Sequence, residues 1–248
     1  MRHHNSRHGA YPKLWVAAFT LVIAAAAAPA PNASATKVPF DWTGLAEPEL
    51  EQYRALRRMH ALAEKVNHEG WLDAWTEFDS QGFRYEIVAE RGSGTVRNKV
   101  LKALLKREQE LIANGDFGRG ELTPENYEFG AETEGDGVRY VLITPKRKDA
   151  MLVDGRMVLS PNGDLLRVEG ILAKNPSFWT TKVNVIRHYA RLDGVRVPIR
   201  TESIAKVRFA GASKLDMTYE YETINNRAVT VRMTAPPALA GLGLGSGR

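Results

Sequence analysis

Three histidines follow the N-terminal segment, His60, His68 and His188, and they are the first residues to consider for catalysis or metal binding. No pair of them has the His-Glu-x-x-His spacing that sets two imidazoles on one helical face, and the chain has no cysteine. The sequence therefore predicts no metal site and no cofactor. His60 is interpreted as a partly buried structural residue. His188 shares a predicted strand face with Ile186 and Ala190, so a structural role is favoured over proton transfer, which needs a partner.

Ser93 lies in the stretch Gly92-Ser93-Gly94, which comes closest in this chain to a nucleophile motif. A hydrolase serine is typically found in Gly-x-Ser-x-Gly, on a sharp turn between a strand and a helix. Here the strand-turn-helix context is present but the spaced glycines are not, so a structural turn is favoured. A hydrolase that uses Ser93 or His188 is the least favoured function, and we expect the protein not to be an enzyme.

Two clusters are candidates for binding. Lys146, Arg147 and Lys148 form a compact basic group at a predicted strand end. This group is either a solvated loop or a surface for anionic lipid headgroups or an acidic partner, and the solvated loop is favoured. Phe178 and Trp179 are adjacent, so on a strand they would point to opposite faces. They form either a gate at the mouth of a cavity or a plug in the core.

The stretch from Thr180 to Met233 predicts four or five consecutive antiparallel strands. Its clearest part alternates large apolar residues with polar ones, namely Leu215, Met217, Tyr219 and Tyr221 against Asp216, Thr218, Glu220 and Glu222. A strict period of two indicates a strand with one buried and one wet face. Turn dipeptides between the predicted strands favour a meander without long crossovers, namely Asp136-Gly137, Asp154-Gly155, Asn162-Gly163 and Asp193-Gly194.

Two helices and a hairpin precede the meander. Apolar residues spaced by three and four predict a first helix from about Glu47 to Asn67, and a second from about Asn98 to Ala113 has a wide apolar stripe. The hairpin is predicted from Trp71 to Phe78 and from Phe83 to Glu90. In its second strand Phe83, Tyr85, Ile87 and Ala89 are predicted to face inward, with Val88 as the exception to the alternation.

Together these elements predict an α+β fold that is mainly antiparallel β, a strongly curved and incomplete barrel with helices over its concave face. The candidate cavity lining consists of large side chains, namely Trp71, Trp75, Phe83, Tyr85, Tyr127, Phe129, Tyr140, Phe178, Trp179, Met217, Tyr219 and Tyr221. The predicted strand over residues 138–142 also alternates. Its inward residues are Val138, Tyr140 and Leu142, and its outward residues are Arg139 and Val141. Rings of this size either fill a small barrel or line an open half-barrel with an apolar cavity.

The first 35 of the 248 residues predict a secretory signal peptide. Basic residues precede an uncharged apolar run from Leu14 to Ala28, and Ala33-Ser34-Ala35 suits cleavage before Thr36. Three of the 34 basic residues and none of the 29 acidic ones lie in this segment, so the remainder carries about +2 charges, which argues against nucleic-acid binding. We expect a periplasmic protein with no lipid anchor, because the chain lacks cysteine. The mature chain is predicted to comprise residues 36–70 with the first helix, a β domain over 71–234, and a Gly-Leu tail over 235–248.

The order of these elements resembles the LolA-like superfamily. The similarity includes the stretches 142–146 (Leu-Ile-Thr-Pro-Lys), 163–169 (Gly-Asp-Leu-Leu-Arg-Val-Glu) and 189–195 (Tyr-Ala-Arg-Leu-Asp-Gly-Val), and it covers about Trp71 to Met233. Members of that superfamily include periplasmic carriers that sort lipoproteins to the outer membrane, and related envelope-stress regulators. Their incomplete β-barrel is covered by helices and holds acyl chains on its apolar concave side. The predicted first helix departs from this pattern, and no lid residue of the family matches a position here.

The resemblance implies a monomeric periplasmic carrier for an apolar ligand, which would be an acyl chain, a lipid or a lipidated protein. It also implies a role in lipoprotein sorting and outer-membrane biogenesis, with possible contact to the membrane surface and none to nucleic acid. The alternative from a different class is an interaction or regulatory module of the envelope whose core is fully packed. The volume left between the side chains distinguishes the two hypotheses.

Overall fold

The computed structural model describes residues 48–178, 180–208 and 211–229. The predicted signal peptide, the lead-in before residue 48 and the predicted tail lie outside these residues, as does Trp179. Within the described chain the dominant feature is one mostly antiparallel sheet of eleven strands. The prediction of a mainly antiparallel β fold is therefore confirmed.

The sheet is open, with β3 and β4 as its two edges. Its spatial order is β3-β2-β1-β10-β9-β8-β7-β6-β5-β4, and β11 pairs with β10. The predicted meander is present from β4 to β10, while β1 pairs with both β2 and β10. The strands are β1 (Tyr53–Ala63), β2 (His68–Asp79), β3 (Gly82–Gly92), β4 (Tyr127–Gly135), β5 (Val138–Pro145), β6 (Val153–Leu159), β7 (Leu165–Leu172), β8 (Thr180–Leu192), β9 (Val195–Val207), β10 (Gly211–Ile224) and β11 (Arg227–Ala228).

Helical structure is concentrated between β3 and β4. It comprises α1 (Gly94–Val96), a π-helical turn (Arg97–Leu101) and α2 (Lys102–Ala113), which together include the predicted second helix. The predicted apolar stripe packs on the sheet, since Val100, Leu101 and Leu105 are fully buried. Short 3-10 turns occupy Glu64–Val66 and Phe117–Gly120.

The predicted first helix is wrong, because its residues form β1. Burial in β1 alternates strictly, and the buried residues are Ala55, Arg57, Met59, Ala61 and Ala63. Most of these side chains are small or charged, so hydropathy alone did not reveal the period of two. Leu56 and His60 on the other side of the strand, together with Ala63 on the buried side, created a false helical spacing.

The predicted hairpin is confirmed as β2 and β3, and the exception at Val88 is a β-bulge. Asp73 lies opposite Ala89 while Ala74 lies opposite Ile87, so Val88 has no partner on β2 and is 50% exposed. A bulge shifts the alternation by one residue. Ala89 consequently faces away from the helix, and the prediction that it points inward is wrong.

Two of the four predicted Asp-Gly or Asn-Gly turns have positive φ at both residues. Asp136-Gly137 joins β4 to β5, and Asp193-Gly194 joins β8 to β9. Gly163 also has a positive φ of 93°, in the connection between β6 and β7. The prediction of a turn at Asp154-Gly155 is wrong, because both residues lie inside β6.

The sheet has a helical face, defined as the face on which α2 packs, and an outer face opposite to it. One buried cluster joins α2 to β1, β2, β3, β10 and parts of β8 and β9, and it includes Met59, Leu72, Leu101 and Leu105. A second cluster lies on β4 to β8 around Tyr127, Val141, Ile143 and Met157. A third lies at the β8–β9 turn around Leu192, Val197 and Ile224. Thus the cluster beneath α2 reaches into β8 and β9, and the rest of the β6–β9 half of the helical face belongs largely to the second cluster.

Gly155 and Gly170 face each other on β6 and β7. A Cβ atom on Gly170 would lie 2.3 Å from the Asp154 carbonyl oxygen, and one on Gly155 would lie 2.1 Å from that of Glu169. These distances are too short for any side chain, so both strands require glycine here.

We expect Gly170→Ala to lower the free energy of unfolding by about 3 kcal/mol or more, since the backbone itself must move. Gly135→Ala is the control, because its Cβ would lie at an ordinary 3.6 Å from the Tyr140 ring and should change stability by less than about 1 kcal/mol. Urea denaturation followed by circular dichroism measures both. Equal stability of the two variants would show that the strands separate here at little cost.

Candidate functional site

The helical face contains seven of the residues predicted to line a cavity. Phe83, Tyr85 and Met217 pack on the cluster beneath α2, Tyr127 and Phe129 belong to the second cluster, and Tyr219 and Tyr221 follow on β10. The alternation of β10 is as predicted, because its opposite residues Glu220 and Glu222 pair with arginines of the outer face. These seven side chains thus have the predicted inward orientation.

Three other predicted lining residues are on the wrong face. Trp71, Trp75 and Tyr140 lie on the outer face, and each is covered by a guanidinium group. The distances from the guanidinium carbon to the ring centroid are 4.5 Å for Arg91 on Trp71, 4.0 Å for Arg54 on Trp75 and 4.7 Å for Arg156 on Tyr140. Such cation–π contacts let large rings remain on a wet surface.

The inward and outward sides of β5 were interchanged in the prediction. Val141 and Ile143 are buried, whereas Leu142 is 63% exposed. Both sides of this strand carry apolar residues, so their alternation did not identify the buried face. Phe178 also does not line a cavity, because it is 75% exposed in the loop before β8.

A buried ion pair joins the sheet to α2 at the centre of the helical face. Arg57 of β1 is 2% exposed, and its two terminal nitrogens donate to the Glu108 carboxylate at 2.5 and 3.1 Å. The same guanidinium lies 4.7 Å from the centroid of the Tyr219 ring and 5.4 Å from that of Phe83. Burial disfavours the charge of Arg57, but the Glu108 carboxylate outweighs this effect, and the pKa of Arg57 is raised well above its ordinary value.

Tyrosines surround this ion pair. Tyr219 and Tyr221 stack with their centroids 6.2 Å apart, and Tyr53 meets Tyr221 edge-on at 5.7 Å. The Tyr221 hydroxyl donates to the Pro198 carbonyl at 2.9 Å. Burial raises the pKa of Tyr53, Tyr219 and Tyr221, because a phenolate would lose its hydration in this setting.

A second arginine, Arg187 of β8, lies on the same face with β10 and β9 between it and β1. Its cross-strand neighbours are Val168 and Thr201. The Tyr189 hydroxyl, followed by those of Tyr219 and Tyr127, favours its charge and raises the pKa of Arg187, although burial opposes this. In the part of the chain that the structure describes, no carboxylate forms a salt bridge with Arg187.

The glycines Gly155 and Gly170 lie near Arg187 in a row of otherwise buried side chains. Gly170 pairs with Val185 on one side and with Gly155 on the other, so two neighbouring positions expose backbone alone. Leu172 and Phe129 are half-buried beside this backbone floor. Arg187 is itself half-buried. The arginine–tyrosine cluster is the set Arg57, Glu108, Arg187, Tyr53, Tyr127, Tyr189, Tyr219 and Tyr221.

Three buried hydroxyls of the sheet have no hydrogen-bond partner among the described residues. They belong to Thr201 and Ser203 of β9 and Ser213 of β10, which are 7%, 3% and 0% exposed. Ser203 lies opposite Leu215, and Ser213 lies opposite Ala205, so both are on the helical face.

The predicted histidines do not form a catalytic group. His60 lies on the outer face, where its Nε2 is 2.6 Å from Glu69 Oε1 and its ring stacks on Trp71 with centroids 4.8 Å apart. It borders a cleft of about 290 Å³ with Asp73 and Asp216. The structure thus gives His60 a carboxylate and an aromatic partner, but no nucleophile.

His188 also has a carboxylate partner, since its Nε2 lies 3.2 Å from Glu202 Oε1 on the outer face. Arg200 binds the same carboxylate at 3.4 Å. Within the described residues no side-chain hydrogen bond joins Ser93 to a histidine, and Ser93 is the residue that precedes α1. His68 is exposed at the start of β2, and no group of three potential metal ligands occurs among the residues described.

The basic cluster at 146–148 has a structural residue at its centre. Arg147 donates to the Asn126 side chain at 2.6 Å and to the Arg119 carbonyl at 2.7 Å. Arg119 in turn binds Asp149 at 2.7 Å, which ties the loop before β4 to the end of β5. Lys146 and Lys148 are exposed, so a contact with lipid or protein stays a prediction for these two residues.

Comparison of the chain with models of protein families, with curated proteins and with solved structures gave no match. The resemblance to the LolA-like superfamily consequently stays a prediction. In the described segments, no helix has the length and apolar character needed to cross a membrane. The functional interpretation therefore depends on the arginine–tyrosine cluster itself.

Sequence reasoning missed Arg57, Glu108 and Arg187. Arg57 lay in the stretch predicted as a helix, where an arginine among alternating small residues is the one signal that could have marked it. Glu108 contacts Arg57 across 51 residues of sequence, and no local pattern predicts that contact. Arg187 is next to His188, which drew attention to the wrong face of β8.

We expect Glu108→Gln to lower the free energy of unfolding by about 2 kcal/mol, because it leaves the Arg57 charge buried without a counterion. Removing one partner of a fully buried pair costs about 3–5 kcal/mol. The lower figure reflects the Glu108 side chain, which is 36% exposed.

Glu110→Gln is the matched control on the same helix. Its carboxylate is 48% exposed and lies 3.7–4.0 Å from Arg107 and Lys106, so its loss should change stability by less than about 0.5 kcal/mol. Chemical denaturation of both variants measures the difference. If Glu108→Gln were as stable as the control, the ion pair would not hold α2 on the sheet.

Alkaline unfolding should be coupled to the buried tyrosines. Burial raises the pKa of Tyr53, Tyr127, Tyr219 and Tyr221 in the folded state, so the unfolded chain loses these protons first, near pH 10. Stability should therefore be unaffected by these groups below about pH 10 and fall as pH rises above it.

The measurement is tyrosinate absorbance at 295 nm recorded together with far-ultraviolet circular dichroism. We expect the absorbance of the other tyrosines to increase while the fold is intact. The absorbance of the four buried tyrosines should increase only as the fold is lost. Tyr219→Phe should reduce this second increase. Complete ionisation without any change in circular dichroism would contradict the burial of these hydroxyls.

Proposed function

We propose that the protein is a non-enzymatic binding protein for an amphipathic ligand that has an acyl chain and an anionic head group. The observation that carries this proposal is Arg187, a half-buried arginine of the helical face with which no carboxylate of the described residues forms a salt bridge and to which the Tyr189 hydroxyl is hydrogen-bonded. Arginine is well suited to carboxylate and phosphate, because its planar donors bind two oxygens at once.

The apolar part of the ligand would lie on the β6–β9 half of the helical face. The half beneath α2 is filled by Val100, Leu101 and Leu105. Met157, Val168 and Val185 of the β6–β9 half are also buried, so the ligand would contact the glycine positions between them. Beside Arg187 the floor is bare backbone at Gly155 and Gly170, next to the half-buried Leu172 and Phe129. Each methylene that leaves water here contributes about 0.8 kcal/mol before the costs of ordering.

The fold gives this proposal a general context. An open antiparallel sheet with one helix packed on one face agrees with the predicted half-barrel, in which the helix would act as a partial lid. The predicted periplasmic location, the monomeric state and a role in lipoprotein sorting belong to the same proposal. The ligand would be a free acyl anion, a phospholipid or the acyl part of a lipidated protein, which share the chemistry that Arg187 recognises.

A direct test compares a fluorescent fatty acid with its uncharged methyl ester on delipidated protein. We expect the acid to bind more tightly than the ester. Arg187→Met should lower the affinity for the acid by about 10-fold to 100-fold, which is the contribution of a charge-assisted hydrogen bond. The affinity for the ester should not change.

Arg91→Met is the control, because Arg91 lies over Trp71 on the outer face and should affect neither ligand. Equal affinity of the wild-type protein for acid and ester would remove Arg187 from the binding role. If neither probe bound, the core would be closed to ligands and an interaction module of the envelope would be the better description.

A further inference from the structure

A group of exposed basic residues surrounds an exposed aromatic at one end of the sheet. We call it the basic rim and define it as Lys65, Lys174, Lys182, Lys206, Arg208 and Lys214, together with the apolar residues Val66 and Phe178. All six basic side chains are exposed. The rim does not include the arginine–tyrosine cluster, so the following inference is independent of ligand binding.

The strand register makes the rim continuous. Lys182 lies directly opposite Lys206 on β8 and β9, and Lys206 lies opposite Ala212 at the start of β10. A Cβ on Gly211 would be 3.1 Å from Lys65 Cβ, so the β1–β2 turn adjoins β10. The ends of four strands thus present their basic side chains on one surface.

The loop before β8 is fixed to the same surface. The Asn175 side chain donates to the Thr181 carbonyl at 3.2 Å, and the hydroxyls of Ser177 and Thr180 are 3.0 Å apart. The Thr181 hydroxyl donates to the Lys206 carbonyl at 3.2 Å. These bonds hold Lys174 and Phe178 beside the ends of β8 and β9.

The charges of the rim are largely uncompensated. Lys214 binds Glu64 at 3.0 Å, but among the residues described no carboxylate forms a salt bridge with Lys65, Lys174, Lys182 or Lys206. Like charges placed directly opposite in a sheet are destabilising, so the Lys182–Lys206 pair reduces the stability of the fold. A partner that supplies negative charge would remove this repulsion.

Phe178 shows which kind of partner fits. At 75% exposure it is the most exposed large apolar side chain of the described residues, and the Arg208 guanidinium lies 4.8 Å from its ring centroid. Val66 is 47% exposed in the neighbouring β1–β2 turn. Aromatic and apolar side chains that project among basic ones are typical of a surface that enters the headgroup layer of an anionic bilayer.

We propose that the basic rim docks the protein on a membrane surface rich in anionic lipid, with Phe178 and Val66 entering the headgroup region and the lysines contacting the headgroups. Docking of this kind places one end of the sheet at the bilayer. Its strength should fall with ionic strength, because exposed charges are screened within about 10 Å at 0.1 M salt.

The test is flotation of the full chain with vesicles of phosphatidylcholine alone or mixed with phosphatidylglycerol. The readout is the binding of each variant to the anionic vesicles relative to the wild type, because the basic and apolar N-terminal segment is identical in every variant. Lys182→Gln with Lys206→Gln should weaken binding to the anionic vesicles by about 25-fold, since each basic residue contributes about fivefold. Folding should not suffer, because the change removes a repulsive pair.

The charge-matched control is Lys106→Gln with Arg107→Gln on α2, whose side chains are 71% and 64% exposed away from the rim. We expect it to bind like the wild type. Phe178→Ser should weaken binding of the protein to the anionic vesicles, and the dependence of that binding on salt concentration should stay the same. Equal loss in the rim and control variants, or no preference for anionic vesicles, would overturn the proposal. Binding to polyglutamate without binding to vesicles would overturn it in favour of an acidic protein partner.

Discussion

The contact between Arg57 and Glu108 is the constraint on which the arrangement of the helical face depends. It joins the centre of the sheet to α2, and the charge of Arg57 has almost no access to water. A buried guanidinium must keep its counterion, since the cost of an unpaired charge exceeds that of most packing defects. The position of α2 over β1, β2, β3 and β10 follows from this requirement together with the apolar stripe of the helix.

This placement divides the helical face into two parts with different properties. The part under α2 is packed and carries a neutralised arginine. The part over β6 to β9 carries Arg187, which the tyrosines Tyr127, Tyr189 and Tyr219 surround without neutralising it. Tyr219 interacts electrostatically with both arginines, so the two parts share a continuous aromatic and cationic surface. The proposed binding of a negatively charged head and an apolar body rests on this division.

Much of the fold was predictable wherever one strand face was apolar and the other polar. The alternation from Leu215 to Glu222 and the hairpin around residues 80–82 are examples, because each is specified locally. Prediction failed at β1, because its buried positions hold mainly alanine and arginine. It also failed at β5, because apolar residues occur on both faces of that strand. The pairing of β1 with β10 connects distant parts of the chain and has no local signature. The site was predicted in part through Tyr219 and Tyr221, whereas Arg57 and Arg187 looked like ordinary surface charges until tertiary structure placed them inward.

The open sheet leaves two strands whose outer backbone groups have no partner strand, and such edges invite polymerisation of identical copies. β3 is interrupted by the bulge at Val88 and carries alternating charges from Arg84 to Arg91. β4 has its own irregularity between Phe129 and Glu132 and carries three glutamates, at 128, 132 and 134. A strand from another copy would meet a bent edge at β3 and at β4, and a second β4 would also meet like charges. The molecule can therefore keep an unclosed sheet, and with it an accessible inner face, without assembling into fibres.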